Sequence, residues 1–257
     1  MGIVKEIVKG EGRIMYEYIL FDLDGTLTDS KPGITTCVQY ALHRMGIEEP
    51  DLDKLKPFIG PPLMDSFRDF YGFSEEQGKQ ATAYYRERYS VTGLFENEVY
   101  PGIDRLLADL KAVGKKLAVA SSKPQVYVER ILDHFGLLTY FDVVVGSDLN
   151  GARSKKEEVV EEALRQLLPG QLFQKIMDTK RQSGEAEGSE KAGITSSAQK
   201  YDAIAMVGDR RFDMVGANAY HIAGIGVAYG YAVPGELEEA GADVVAETVE
   251  ELSKILL

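Results

Sequence analysis

Cysteine is all but missing from this 257-residue chain, with Cys37 its single example. That residue can form no internal disulfide. With no second Cys and no neighbouring His it also belongs to no recognisable catalytic or metal-binding set, so it reads as a half-buried helical thiol. Histidine is scarce too: His43, His134 and His221 fall in predicted helices or at their ends, without the spacing of a shared metal site. No apolar run approaches the roughly 20 residues that span a bilayer. The opening stretch MGIVKEIVKG mixes Lys with Glu, unlike a signal peptide. A soluble, cytoplasmic protein is therefore expected. Basic residues are outnumbered, 29 Lys and Arg against 41 Asp and Glu, for a formal charge of −12. Without a basic cluster, such a surface repels nucleic acid and anionic membranes, and neither is an expected partner.

What the chain does have is an ordinary composition for a packed protein, 44% hydrophobic and 27% charged, enough for one large domain and a smaller one. Short apolar runs recur at Tyr18–Phe21, Lys116–Ala120, Phe141–Val145, Ala203–Val207 and Gly224–Val227, with a weaker one at Ala242–Val245. Each is short enough to be a buried parallel strand. Helical patterns lie between them at Ile103–Val113, Gln125–Phe135, Lys156–Leu167 and Arg211–Ala219. Strands alternating with helices imply right-handed crossovers, and hence an α/β fold with a doubly wound parallel sheet covered on both faces.

Two intervals interrupt the alternation. From Ser30 to about Asn97 the sequence reads only as helices, which suggests a helical cap domain (30–97) inserted into a core formed by 1–29 and 98–257. From Pro169 to Lys200 it is rich in Gly, Ser, Lys and Glu and reads as a long surface loop, with a helical turn at LFQKIM as the one exception.

In open parallel sheets, ligands bind beyond the carboxyl ends of the strands. The residues expected there are Asp22 and Asp24 after the first strand, Ser121 and Ser122 after the second, and Asp209 after the fourth. One Asp at a strand end commonly begins a turn, but carboxylates closing two strands and hydroxyls closing a third at one sheet edge are harder to dismiss. Asp22, Asp24, Asp209 and Asp213 would repel one another and any anionic substrate if they converged, so a cation is required. An all-oxygen donor set without His or Cys points to Mg²⁺. In extended backbone Asp22 and Asp24 share a side, so both carboxylates can face one reacting group, and Gly25 permits a sharp turn with close approach to a phosphate.

The segments DLDGTLTDS (from Asp22), VASSK (from Val119), RSKKEEV (from Arg153) and GDRRFD (from Gly208), in that order, resemble the haloacid dehalogenase-like hydrolase superfamily. The helical interval after the first motif resembles the phosphoglycolate phosphatase-like branch. The resemblance implies an Mg²⁺-dependent phosphatase acting on a small phosphomonoester through an aspartyl-phosphate intermediate. It implies Asp22 as nucleophile and Asp24 as general acid and base. Ser121 and Ser122 would bind the phosphoryl group with Lys156, to which Lys155 is the adjacent alternative. Asp22, Asp209 and the backbone carbonyl of Asp24 would hold the metal, supported by Asp213, Gly25 and Thr26. Because dehalogenases of the superfamily lack the second Asp, Asp24 argues against dehalogenation. Other readings are a phosphomutase of the β-phosphoglucomutase type, a 5′-nucleotidase and a non-catalytic regulatory module. Nothing in the sequence expresses the oligomeric state. The stretch Phe58–Leu63 resembles the specificity loop of cap-bearing relatives, whereas Arg68 reads as an ion-paired surface residue.

Overall fold

A computed structural model describes residues 16–149, 153, 155–187 and 200–257. Six strands form one parallel sheet: β1 (Tyr18–Phe21), β4 (Lys116–Pro124), β5 (Val143–Ser147), β6 (Tyr201–Gly208), β7 (Ile222–Val227) and β8 (Val244–Ala246), in the order β5-β4-β1-β6-β7-β8. β1 lies in the middle, in register with both neighbours: Phe21 pairs with Val119 of β4 and Val207 of β6. The chain leaves β1 first towards β4 and β5, and later returns to its other side as β6. This reversal makes the end of β1 a topological switch point, where a crevice opens between loops that diverge.

The two faces of the sheet follow the period-2 alternation of its strands. Ile19, Phe21, Leu117, Val119, Ala205 and Val207 enter one core with residues of α4 (Ile103–Ala112), α5 (Gln125–His134) and α10 (Val249–Leu256). Leu20, Ala118, Ala120, Ile204 and Met206 enter the other with residues of α6 (Lys156–Leu167), α7 (Gly170–Glu187) and α8 (Arg211–Ala219). Both faces are covered, which is why the central strands read as continuous apolar runs rather than as alternating ones. A four-residue helix, α9 (Glu236–Glu239), precedes β8.

Between β1 and β4 the chain forms a short antiparallel ribbon, β2 (Thr28–Asp29) with β3 (Glu98–Val99). Between those two strands it is helical: α1 (Lys31–Arg44), α2 (Leu63–Tyr71) and α3 (Glu75–Tyr89), with 3₁₀ turns at Leu52–Phe58 and Gly93–Phe95. Ser74 caps α3 in a reciprocal capping box with Gln77. Cys37 in α1 is fully buried rather than half-buried, and its sulfur accepts a hydrogen bond from Arg88. Arg68 pairs with Asp65 and Asp69 at the surface.

The reading of Pro169 to Lys200 as a surface loop is corrected. Residues Gly170–Glu187 form α7, and the remainder of that stretch up to 199 lies outside the described residues. Ile176 of α7 is fully buried in the second core, and Leu172, Phe173 and Met177 pack against it. Polar residues complete the docking at the amino-terminal edge of the sheet. Thr179 and Tyr201 share a hydrogen bond, and Lys180 donates to the Tyr220 hydroxyl while lying over its ring. Among the described residues no helix is long and apolar enough to cross a membrane.

Candidate active site

Strand ends and one helix start bring the acidic residues together. Asp22 follows β1, Asp209 follows β6, and Asp213 lies in the first turn of α8; oxygens of all three fall within 4.8 Å of one another. Asp22 and Asp24 are 8% exposed, Asp213 1% and Asp209 not at all, so four carboxylates sit in a confined, poorly solvated space. Gly25 has φ +82°, and a Cβ there would overlap the Asp209 carboxylate. Glycine is thus required for the backbone conformation and for the approach of the two loops alike.

One lysine balances part of this charge. The buried ammonium of Lys156, at the start of α6, lies 2.7 Å from Asp22 Oδ1 and 2.7 Å from Asp213 Oδ1, and it donates to the Ala120 carbonyl at 3.0 Å. Burial would lower the lysine's pKa, but Asp213 and Asp22 outweigh it and hold the ammonium firmly charged. The neighbouring Lys155 is exposed, so the structure separates the two lysines that the sequence left open.

The remaining carboxylates are under-compensated. Burial, reinforced by repulsion from Asp213 and Asp22, pushes Asp209 well above the usual carboxylate range despite an N–H bond from Tyr231 at 2.8 Å. Burial likewise pushes Asp213 up, to about 6, against the pull of Lys156. Asp213 Oδ1 has the lysine beside it but no aligned hydrogen bond, while Asp213 Oδ2 accepts from the Arg210 N–H at 3.0 Å and so also caps α8. Buried carboxylates that resist ionisation, one of them with an unsatisfied oxygen, form a hard all-oxygen donor set that fits a divalent cation. The Asp24 carboxylate stands apart from this cluster of three.

The other residues expected at the site are nearby. Thr26 donates to Asp209 Oδ1 at 3.4 Å. Ser121 is buried and its hydroxyl accepts from the Lys123 N–H, while the Ser122 carbonyl accepts from Ser147. Asp22, Asp24, Ser121, Ser122, Lys156 and Asp213 all line one cavity of about 600 Å³. Its opposite wall comes from α2, α3 and the Phe58–Leu63 stretch, with Phe58, Tyr85 and Tyr89 presenting aromatic surface. Arg210 ties the two walls together, donating to the Ile59 carbonyl at 2.8 Å while pairing with Glu236.

Sequence reasoning passed over Lys123, Tyr89 and Tyr231. Lys123 lies 3.0 Å from Asp24 Oδ1 and donates to the Tyr89 hydroxyl. Tyr231 donates through its N–H to Asp209 and through its hydroxyl to Asp29. Lys123 had a usable signal, as the third polar residue in a row at the end of an apolar strand. The two tyrosines had none, because their partners come from remote parts of the chain.

A doubly wound sheet with acidic strand ends converging at its switch point, beside a buried lysine and a partly open cavity, defines a class of doubly wound α/β enzyme cores. Residues 19–167 match the family model described as haloacid dehalogenase-like hydrolase, and residues 175–252 match a second, HAD-hydrolase-like model. The chain belongs to the haloacid dehalogenase-like hydrolase family. It is 41% identical over 227 residues to a 5′-nucleotidase of Pseudomonas aeruginosa, covering 88% of this chain and 89% of that protein. It is 34% identical to the tyrosine-protein kinase PtkA of Mycobacterium tuberculosis, over 93% of this chain and 72% of the kinase. A phosphoglycolate phosphatase of Aquifex aeolicus is 32% identical over 70% of this chain and 82% of its own. Among solved structures, a predicted phosphatase from Clostridium acetobutylicum superposes with a TM-score of 0.75 at 42% identity, covering 93% of this chain and 97% of that one. Within the family the chain is a phosphoric monoester hydrolase with phosphoglycolate phosphatase-like relatives.

Proposed function

We propose that the protein is an Mg²⁺-dependent phosphatase that hydrolyses a small phosphomonoester through a phosphoaspartate on Asp22. The observation that carries this reading is the placement of Asp22: its carboxylate faces the cavity, 2.7 Å from the Lys156 ammonium and within the three-carboxylate cluster. Lys156 pairs with Asp22 and offers a positive charge to the incoming phosphate. An Asp22 oxygen attacks phosphorus as the bond to the leaving oxygen breaks, and Asp24 donates its proton to that oxygen. Asp24 then takes a proton from the water that cleaves the acyl phosphate. Asp22, Asp209 and the Asp24 carbonyl would hold Mg²⁺, with Asp213 supporting. The ion when bound supplies charge neutralisation for the transferring group. Ser121 and Ser122 orient the phosphoryl oxygens. Residues 30–97 act as a cap domain over a core of 1–29 and 98–257, enclosing the leaving group and excluding water.

The cavity favours a larger leaving group than glycolate. About 600 Å³ with an aromatic wall from Phe58, Tyr85 and Tyr89 suits a nucleoside, in keeping with the 41% identity to a 5′-nucleotidase. Adenosine 5′-monophosphate and phosphoglycolate, compared under Mg²⁺, separate the two, and a higher kcat/KM for the nucleotide is expected. The covalent step is tested in the same assay. Asp22→Asn removes the nucleophile and should abolish turnover while leaving the circular dichroism spectrum unchanged, so near wild-type kcat in this variant refutes it.

A further inference from the structure

The cavity is lined by a second lysine besides Lys156. The side chain of Lys123 is 6% exposed, and its ammonium lies 3.0 Å from Asp24 Oδ1. On its other side it donates to the Tyr89 hydroxyl and sits 4.8 Å from the centre of that ring. Tyr89 is held in turn: stacked on Tyr85 with ring centres 5.0 Å apart, and edge-on to Tyr127 of α5 at 5.4 Å. Burying an ammonium costs several kcal/mol that an ion pair seldom returns as net stability. A lysine side chain this little exposed beside one particular carboxylate therefore calls for a reason other than stability. The two lysines of the site divide three of its four acids between them, Lys156 beside Asp22 and Asp213, and Lys123 beside Asp24.

We propose that Lys123, fixed from the far side by Tyr89, is a positioning residue that sets the Asp24 carboxylate for proton transfer to the leaving oxygen. The inference rests on the assignment of Asp24 as general acid. Lys123 keeps its own protons throughout. The proton moves from the Asp24 carboxyl to the leaving oxygen as the phosphorus–oxygen bond breaks, and the bond to Asp22 forms. Because Tyr89 belongs to α3 and Lys123 to β4, Asp24 is correctly held only while the helical layer sits over the sheet.

Leaving-group dependence reads this role and ignores a purely structural one. A p-nitrophenolate departs without a proton, whereas an alkoxide needs one. The measured quantity is kcat for adenosine 5′-monophosphate divided by kcat for p-nitrophenyl phosphate, in the full-length enzyme with Mg²⁺. Asp24→Asn should lower this ratio by about 10²-fold, the usual size of a general-acid contribution. Lys123→Met should lower it in the same direction by about tenfold or more, as misplacement of that acid does. Tyr89→Phe keeps the packing and loses only the hydroxyl. It should lower the ratio by about threefold, and it decides the matter if Lys123→Met does not fold. An equal loss on both substrates in the lysine and tyrosine variants, with Asp24→Asn still selective, overturns the positioning role alone. An unselective Asp24→Asn overturns the acid assignment and the inference with it.

Discussion

At the residue scale, the acids of the site were legible because a side chain at the carboxyl end of a buried parallel strand has only one place to point. Asp22, Ser121 and Asp209 each close an apolar run, so their convergence followed from topology. The position of Lys123 at a strand end was visible, but its pairing was not, because its partners Asp24 and Tyr89 lie 99 and 34 positions away and no local pattern encodes such a pairing. Asp142 shows the same limit at the opposite edge of the sheet. Its carboxylate accepts from Lys111 at 2.8 Å, Lys116 at 3.1 Å and the Leu117 N–H at 2.9 Å. Burial alone would raise its pKa, but these donors together draw it down to about 2. A depressed pKa in the folded state contributes stability above the unfolded value, roughly 3.9, that is lost as pH falls through about 2. Asp142→Asn should thus cost about 1 kcal/mol at pH 7, after discounting for solvent screening, and progressively less below pH 4. Urea unfolding at pH 7 and pH 3 checks this, and the same cost at both values contradicts it. Since Asp142 sits far from the catalytic edge, kcat should be unaffected.

At the element scale, the strands and most helices of the core matched their sequence patterns closely; α6 and α8 begin and end where the periodicity places them. The exception is α7. Its composition, with Gly, Ser and many charges, suggests a loop, yet Leu172, Phe173, Ile176 and Met177 recur at helical spacing and face the second core. The pattern fades after Met177 because Lys180 takes the next inward position as an amphipathic residue, laying its stem and ammonium over Tyr220. A charged residue doing an apolar residue's packing is hard to see in sequence. Ile176 is fully buried, so Ile176→Ala should destabilise the protein by about 2–4 kcal/mol through lost contacts and a residual cavity. Chemical denaturation measures the loss. A change below about 0.5 kcal/mol, the range of ordinary surface substitutions, shows that α7 is only loosely attached. Because α7 docks at the amino-terminal edge of β6 and β7, the folded fraction should keep its kcat.

At the scale of the whole molecule, the acidic cluster joins parts of the fold that are far apart in the chain. Asp22 stands at the end of the central strand, Asp209 at the end of β6 and Asp213 in α8, and their mutual repulsion opposes the packing that brings them together. A divalent cation held by Asp22 and Asp209, with Asp213 in support, in the folded state meets these acids only as separated side chains in the unfolded one. It must therefore stabilise the fold by mass action, by about 2.7 kcal/mol at a concentration a hundredfold above its Kd. For a chain of this size each kcal/mol raises Tm by roughly 2–4 °C, so saturating Mg²⁺ should raise Tm by about 5–10 °C over a chelated sample. Asp209→Asn removes one donor and its charge, and should lose most of that shift while starting from a higher Tm in chelator, because the repulsion is relieved. Activity should disappear in EDTA and return with Mg²⁺. Ca²⁺ should raise Tm yet inhibit turnover, since its longer bonds and higher coordination number hold the phosphate and Asp22 outside in-line geometry. Stabilisation and activity thus separate between the two ions. If Mg²⁺ leaves Tm unchanged in the wild type, or raises it equally in Asp209→Asn, the acidic cluster does not hold the ion, and its repulsion must be relieved by protonation instead.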